Sequence, residues 1–176
     1  MKASLTQTIR GARKRAGFSL LETVVSIAVG VMLITAFVSL VVQSAHMSRL
    51  STDKLKAHGY LVEAIEVAKT LERQSNFSAN FPVSCTATTP CHPKLVTVST
   101  LTTWQFASGE QVLEGGRFIR RVVIEPVYRD GSNRITTPAL GTLDPFTKKI
   151  VATVVITSAP GAPTLMLETY VYRHRP

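Results

Sequence analysis

The 176-residue chain is 45% hydrophobic and carries a formal charge of +9. It is long enough for one ordinary domain plus a helix, and its hydrophobic content is inflated by one long apolar run. Five of its basic residues, Lys2, Arg10, Arg13, Lys14 and Arg15, come before residue 16 with no acid among them, which leaves only +4 for the remainder. The charge is therefore a feature of the leader and not the signature of a uniformly basic nucleic-acid-binding domain.

After the leader, Phe18 to Val42 is an apolar run with no Lys, Arg, Asp or Pro. As a helix it would be about 38 Å long at about 1.5 Å per residue, enough to cross a bilayer core of about 30 Å. Lys and Arg beside a first span stay on the cytoplasmic side, so the C-terminal part is expected outside the cytoplasm. Glu22 breaks the pattern. An acid inside a span costs at least about 2.5 kcal/mol at its centre, and such a residue is read as functional, with a partner to be named. If the chain were cut between Gly17 and Phe18, the new α-amino group would supply a positive charge, either four residues away or on a neighbouring copy. A secretory signal fits less well, because its apolar region is shorter and Gln43-Ser44-Ala45 makes a poor cleavage site.

No Pro occurs before Pro82, so the helix is expected to leave the membrane and continue to about residue 73. Leu50, Ala57, Leu61, Ala64, Ile65, Ala68 and Leu71 form one stripe at helical spacing, with Lys56, Glu63 and Glu66 on the other side. Cys85 and Cys91 are the only cysteines and sit in a Thr- and Pro-rich loop. On the oxidising side of the membrane they are expected to pair. His92 adds a third possible ligand, too few for a structural metal site.

Beyond Gln74 the composition turns to Thr, Val, Pro and Gly. Strands are expected at Leu95 to Leu101, Phe118 to Tyr128, Ile150 to Thr157 and Leu165 to Tyr172. Gly115-Gly116, Asp130-Gly131, Asp144-Pro145 and Pro160-Gly161 read as the turns between them. The expected fold is α+β, a long N-terminal helix packed against an antiparallel β-sheet. No triad, phosphate-loop, zinc-protease or dinucleotide motif appears, so no enzyme activity, catalytic residue, metal or cofactor is expected. Arg117, Arg120 and Arg121, with Arg129 and Arg134, form a basic cluster with Phe118 and Tyr128 among them. That cluster is the candidate surface for nucleic acid, although Glu114, Glu125 and Asp130 lie close enough in sequence to pair with three of these arginines.

The basic leader ending in Gly17, the following Phe18-Ser19-Leu20-Leu21-Glu22 and the apolar span resemble the cleavage and methylation signature of type IV prepilins and type II secretion pseudopilins. The resemblance implies a leader at 1–17 removed by prepilin peptidase, with cleavage between Gly17 and Phe18, N-methylation of Phe18, and Glu22 as the acid used in assembly. It implies a filament-core helix at 18–42, its amphipathic continuation at 43–75, and a β-rich globular domain at 76–176. The implied partners are other pilin or pseudopilin subunits, the peptidase and an inner-membrane assembly platform, with the chain anchored in the bacterial inner membrane before assembly and in a pilus or pseudopilus afterwards. Ser39 stands where many major pilins interrupt the helix with Pro, and Gly30 is the only breaker in the span. A minor pilin or pseudopilin is the reading these residues favour. The alternatives from other classes are a DNA-binding competence pilin and a signal-anchored envelope protein without a filament role.

Overall fold

The computed structural model describes residues 19–74, 77–82, 84–98 and 100–173. The leader, Gly17, Phe18 and the basic tail from His174 lie outside the described residues. Helix α1 runs Leu20–Glu72, 53 residues, and begins where the Ser19 carbonyl accepts the amides of Glu22 at 2.9 Å and Thr23 at 3.1 Å. The chain divides after His46 into two compact units, and α1 contributes to both.

In the first unit the helix is apolar on every side and exposed on every side. Leu20 is 83%, Leu33 66% and Phe37 67% accessible, and an 18-residue window reaches a mean hydropathy of 2.6. A helix that is apolar and exposed all round fits lipid as its solvent. The two hydroxyls between Val31 and Val42 are satisfied internally, Thr35 donating to the Val31 carbonyl at 2.8 Å and Ser39 to the Thr35 carbonyl at 2.9 Å. Neither therefore needs a polar partner in the membrane.

In the second unit α1 becomes amphipathic. Ala57, Leu61, Ala64, Ile65, Val67, Ala68 and Leu71 are buried, and the expected stripe is recovered apart from Leu50, which is half-buried. The stripe packs on a seven-stranded antiparallel sheet made of β1 (Cys91–Val98), β2 (Leu101–Ser108), β3 (Gln111–Leu113), β4 (Phe118–Arg129), β5 (Ile135–Thr136), β6 (Thr142–Ile156) and β7 (Thr164–Tyr172). The main order is β2-β1-β4-β6-β7, with β3 and β5 also pairing with β4. In β4 and β6, alternate residues turn towards the helix. Phe118, Val122, Ile124, Ile150, Ala152, Val154 and Ile156 are buried, and all but Ala152 contribute about 1.5–3 kcal/mol each if fully removed from water. A short helix α2 (Phe77–Asn80) then tucks Phe77 against Phe81, whose ring lies 6.2 Å from that of Phe106.

Three expectations about the strands need correction. The run Leu95 to Leu101 is not one strand: the chain reverses between Val98 and Leu101, which face each other in the β1–β2 hairpin. In the sequence Ser99-Thr100 offers none of the Gly, Asn or Pro that marks most turns, and continuous alternation with Thr hides the reversal. Strand β2, with Trp104 and Phe106, follows from the same missed turn. Asp144-Pro145, expected as a turn, lies inside β6, which begins eight residues before the strand expected at Ile150. There the register shifts, Pro126 facing Lys148 while Val127 faces Asp144. Pro126 and Pro145 have no N–H to give a ladder, so an interior strand can accommodate them only at such an irregularity.

Cys85 and Cys91 are bonded, with Cα atoms 5.2 Å apart, and both are buried. Cys91 opens β1 rather than lying in the loop. The Cys85 carbonyl accepts the Ile124 amide at 2.8 Å, and Cys91 faces Val122, so the closed loop is fastened to the β4 edge at both ends. For a loop this short the bond contributes about 2 to 2.5 kcal/mol in the chain-entropy picture.

Candidate functional site

Glu22 is the third residue of α1 and is exposed, as are its neighbours Leu20, Leu21, Thr23 and Val24. Its place in the first turn is favourable for an acid, because unpaired amides and the positive end of the helix dipole gather there. No other Asp, Glu, Lys or Arg follows until Arg49, so Glu22 is the single charge of the apolar stretch. Residues 12–38 match the family model of the prokaryotic N-terminal methylation motif, which spans the end of the basic leader, Gly17-Phe18, Glu22 and most of the exposed apolar helix. The chain has a prepilin-type N-terminus. The motif is that of type IV pilin-like substrates of prepilin peptidase, and with the apolar helix it fits inner-membrane anchoring before assembly. The prepilin-like chain has no match among curated proteins or solved structures.

The globular part of this prepilin-like chain holds Arg117, Arg120, Arg121 and Arg129 in separate ion pairs rather than on one open basic face. Arg117 donates to Asp53 on α1 at 2.7 Å and lies 3.6 Å from Glu114. Glu114 in turn accepts Lys56 at 3.0 Å and the Tyr60 hydroxyl at 2.9 Å. Lys56 first, and Tyr60 after it, hold the Glu114 carboxyl below its usual range, while burial and then the hydrogen bond to Glu114 push the Tyr60 phenol up. Arg121 pairs with Glu110 at 2.7 Å, and Arg129 with Asp144 at 2.7 Å. Glu125 lies 3.5 Å from Lys149, and Asp130 caps its own turn by accepting the amides of Ser132 and Arg134. Of the three neighbouring acids weighed from sequence, only Glu114 meets its arginine. Among the described residues no group of three His, Cys, Asp or Glu could hold a metal ion.

Arg120 is the residue whose role sequence reading missed. It is only 2% exposed and points into the helix–sheet interface. It donates to Gln111 and to the Tyr60 carbonyl, lies 3.1 Å from Glu63, and sits over the Tyr60 ring at 6.0 Å. The signal was present: Phe118, Arg120, Val122 and Ile124 share one face of β4, so a strand with an apolar inner face carries Arg120 inward. Arg120→Ala is expected to destabilise the full chain in detergent by about 2–4 kcal/mol in thermal or chemical unfolding. Glu63→Ala should cost much less, since Gln111 and the Tyr60 carbonyl still satisfy the guanidinium.

A second clamp closes the far end of the β4–β6 ladder. Arg129 reaches Asp144 and the Asn133 carbonyl, and Asp144 also accepts the Thr147 hydroxyl at 2.6 Å and the Phe146 amide at 2.9 Å. Burial alone would push the Asp144 carboxyl up. The bonds from Arg129, Thr147 and Phe146 outweigh it and bring the group down from 3.8 to about 2. Because the folded value is the lower one, Asp144 stabilises the fold above about pH 4 and loses that contribution as pH falls towards 2. Acid titration of unfolding should show a loss on the order of 1–2 kcal/mol over that window, absent in Asp144→Asn.

Proposed function

We propose that this chain is a minor pilin or pseudopilin, a non-enzymatic subunit inserted in the inner membrane and then moved into a filament. Its leader is cut between Gly17 and Phe18, Phe18 is methylated on its new amino group, and Glu22 directs assembly by pairing with that group on a neighbouring subunit. The observation that carries this reading is the methylation motif over residues 12–38 running directly into a fully exposed apolar helix. In a filament core, packing between such helices replaces lipid contact without changing the chemistry of the surroundings. The ion-paired state of Arg117, Arg120 and Arg121 favours a structural role for those residues over phosphate binding.

The test is to express the chain with a prepilin peptidase and a pilus or secretion-type assembly machinery, omitting each in turn. Loss of the leader only when the peptidase is present, and recovery of the shortened chain in sheared filaments only when both are present, is the expected result. A full-length chain that stays in the membrane under every condition would favour the signal-anchor alternative.

A further inference from the structure

The sheet is open at both ends. Strand β3 takes the β4 edge at Phe118 to Arg120, where β1 would otherwise continue, so β1 meets β4 only at Cys91 and the β1–β2 hairpin peels away. Among the described residues no strand pairs with β2 on the side away from β1, or with β7 on the side away from β6. In the β1–β2 ladder the inward bonds end with the Gly109 amide on the Pro90 carbonyl. That alternation turns the amides of Thr102, Trp104, Phe106 and Ser108 to the open side. At the other end the Arg173 amide bonds the Phe146 carbonyl in the β6 direction, so the amides of Met166, Glu168 and Tyr170 face out, and that of Tyr172 is capped by Glu72.

Proteins normally guard such edges with Lys, Pro, bulges or short strands. Strand β2, Leu101-Thr-Thr-Trp-Gln-Phe-Ala-Ser108, has no charge, no Pro and a continuous register over eight residues. Strand β7 is of nearly equal length, nine residues, and its one charge, Glu168, is already paired with Lys149 at 2.9 Å. An unpaired extended backbone is complemented by another strand, and the two open edges match in length, with no charge on β2 and the one on β7 already paired. Their directions match as well. Each neighbouring pair in the order β2-β1-β4-β6-β7 is antiparallel, so β2 and β7 run the same way.

We propose that the open edge of β2 receives β7 of a second copy of this chain, in parallel register, joining the two sheets head to tail. Copies repeated by translation along one polar filament carry their strands in the same direction, which selects a parallel junction. The contact is heterologous, so it can repeat along a filament. The filament part of this inference rests on the proposed function, whereas the edge pairing does not.

Cysteine pairs test it in the full chain, since the native pair is bonded and no free thiol remains among the described residues. Thr103, Met166 and Tyr170 lie on the sheet face opposite the one that packs on α1. Thr103→Cys with Met166→Cys joins strand start to strand start, as parallel pairing requires. Thr103→Cys with Tyr170→Cys would report antiparallel pairing. The expected result is a covalent dimer from the first combination in sheared filaments. Thr102→Pro, which removes an outward amide, and Gln105→Lys, which charges the exposed edge, should each lower that product on the order of ten-fold while the Cys85–Cys91 bond still forms. Dominance of the Tyr170 product, a cross-link whose mass shows a different subunit, or undiminished product in both edge variants would overturn the pairing. If the chain never enters filaments, that reading fails by itself. The same pairs are then scored in the membrane-anchored chain, where absence of the Thr103–Met166 dimer overturns the edge pairing as well.

Discussion

Replacing Glu22 by Leu is expected to leave membrane insertion, leader removal and the sheet domain intact while nearly abolishing recovery of the chain in filaments. Glu22 is the only charge in the apolar helix before Arg49 and is exposed, so neither the span nor the sheet is expected to depend on it. Opposite charges about 4 Å apart attract by about 4 kcal/mol at an effective dielectric of 20, which offsets much of the cost of a carboxylate in lipid. A Leu at this position packs equally well in any register of neighbouring helices, whereas a carboxylate seeking one amino group favours a single register. Glu22→Asp should therefore be milder than Glu22→Leu, since the charge survives with a shorter reach. The comparison is between processed protein in membranes and processed protein in sheared filaments, variant by variant. Filament recovery of Glu22→Leu equal to the unaltered chain would remove the pairing from the mechanism.

Replacing Gly17 by a bulky residue such as Leu should block processing almost completely and leave the precursor in the membrane with its five leader charges. A protease that cuts in a narrow site needs the backbone extended and close, and Gly, with no Cβ, allows that approach where a branched side chain does not. Because Phe18 would then have no free amino group, this variant should also be absent from filaments even though Glu22 is unchanged. The paired outcome separates the two steps: Glu22→Leu is cut but not assembled, and Gly17→Leu is neither cut nor assembled. Immunoblotting for leader-bearing and leader-free forms reads both.

Much of the fold could be read from the residues, for reasons that are themselves physical. A helix uninterrupted from Leu20 to Glu72 follows from the absence of Pro before Pro82, and its buried stripe from 3.6-residue spacing. Ile150, Ala152, Val154 and Ile156 alternate cleanly because β6 lies inside the sheet between β4 and β7. What was hidden depended on partners remote in sequence. The reversal between Val98 and Leu101 has no Gly, Asn or Pro in its sequence to mark it, and the irregularity at Pro126 appears only when β4 and β6 are aligned. Arg120 was grouped with Arg117 and Arg121 by charge, although the strand alternation sends Arg120 into the interface and Arg121 to the opposite face, while Arg117 precedes the strand and meets Asp53. Their carboxylate partners were equally remote. Asp53 lies 64 residues from Arg117, a pairing that no local spacing rule could have found.

The most direct test of the whole reading is the mass of the N-terminal peptide from protein purified out of membranes that contain a prepilin peptidase. A peptide beginning at Phe18 and heavier by a single methyl group on its amino nitrogen is the expected result. A peptide that retains residues 1–17, or one that begins at any other residue, would contradict it.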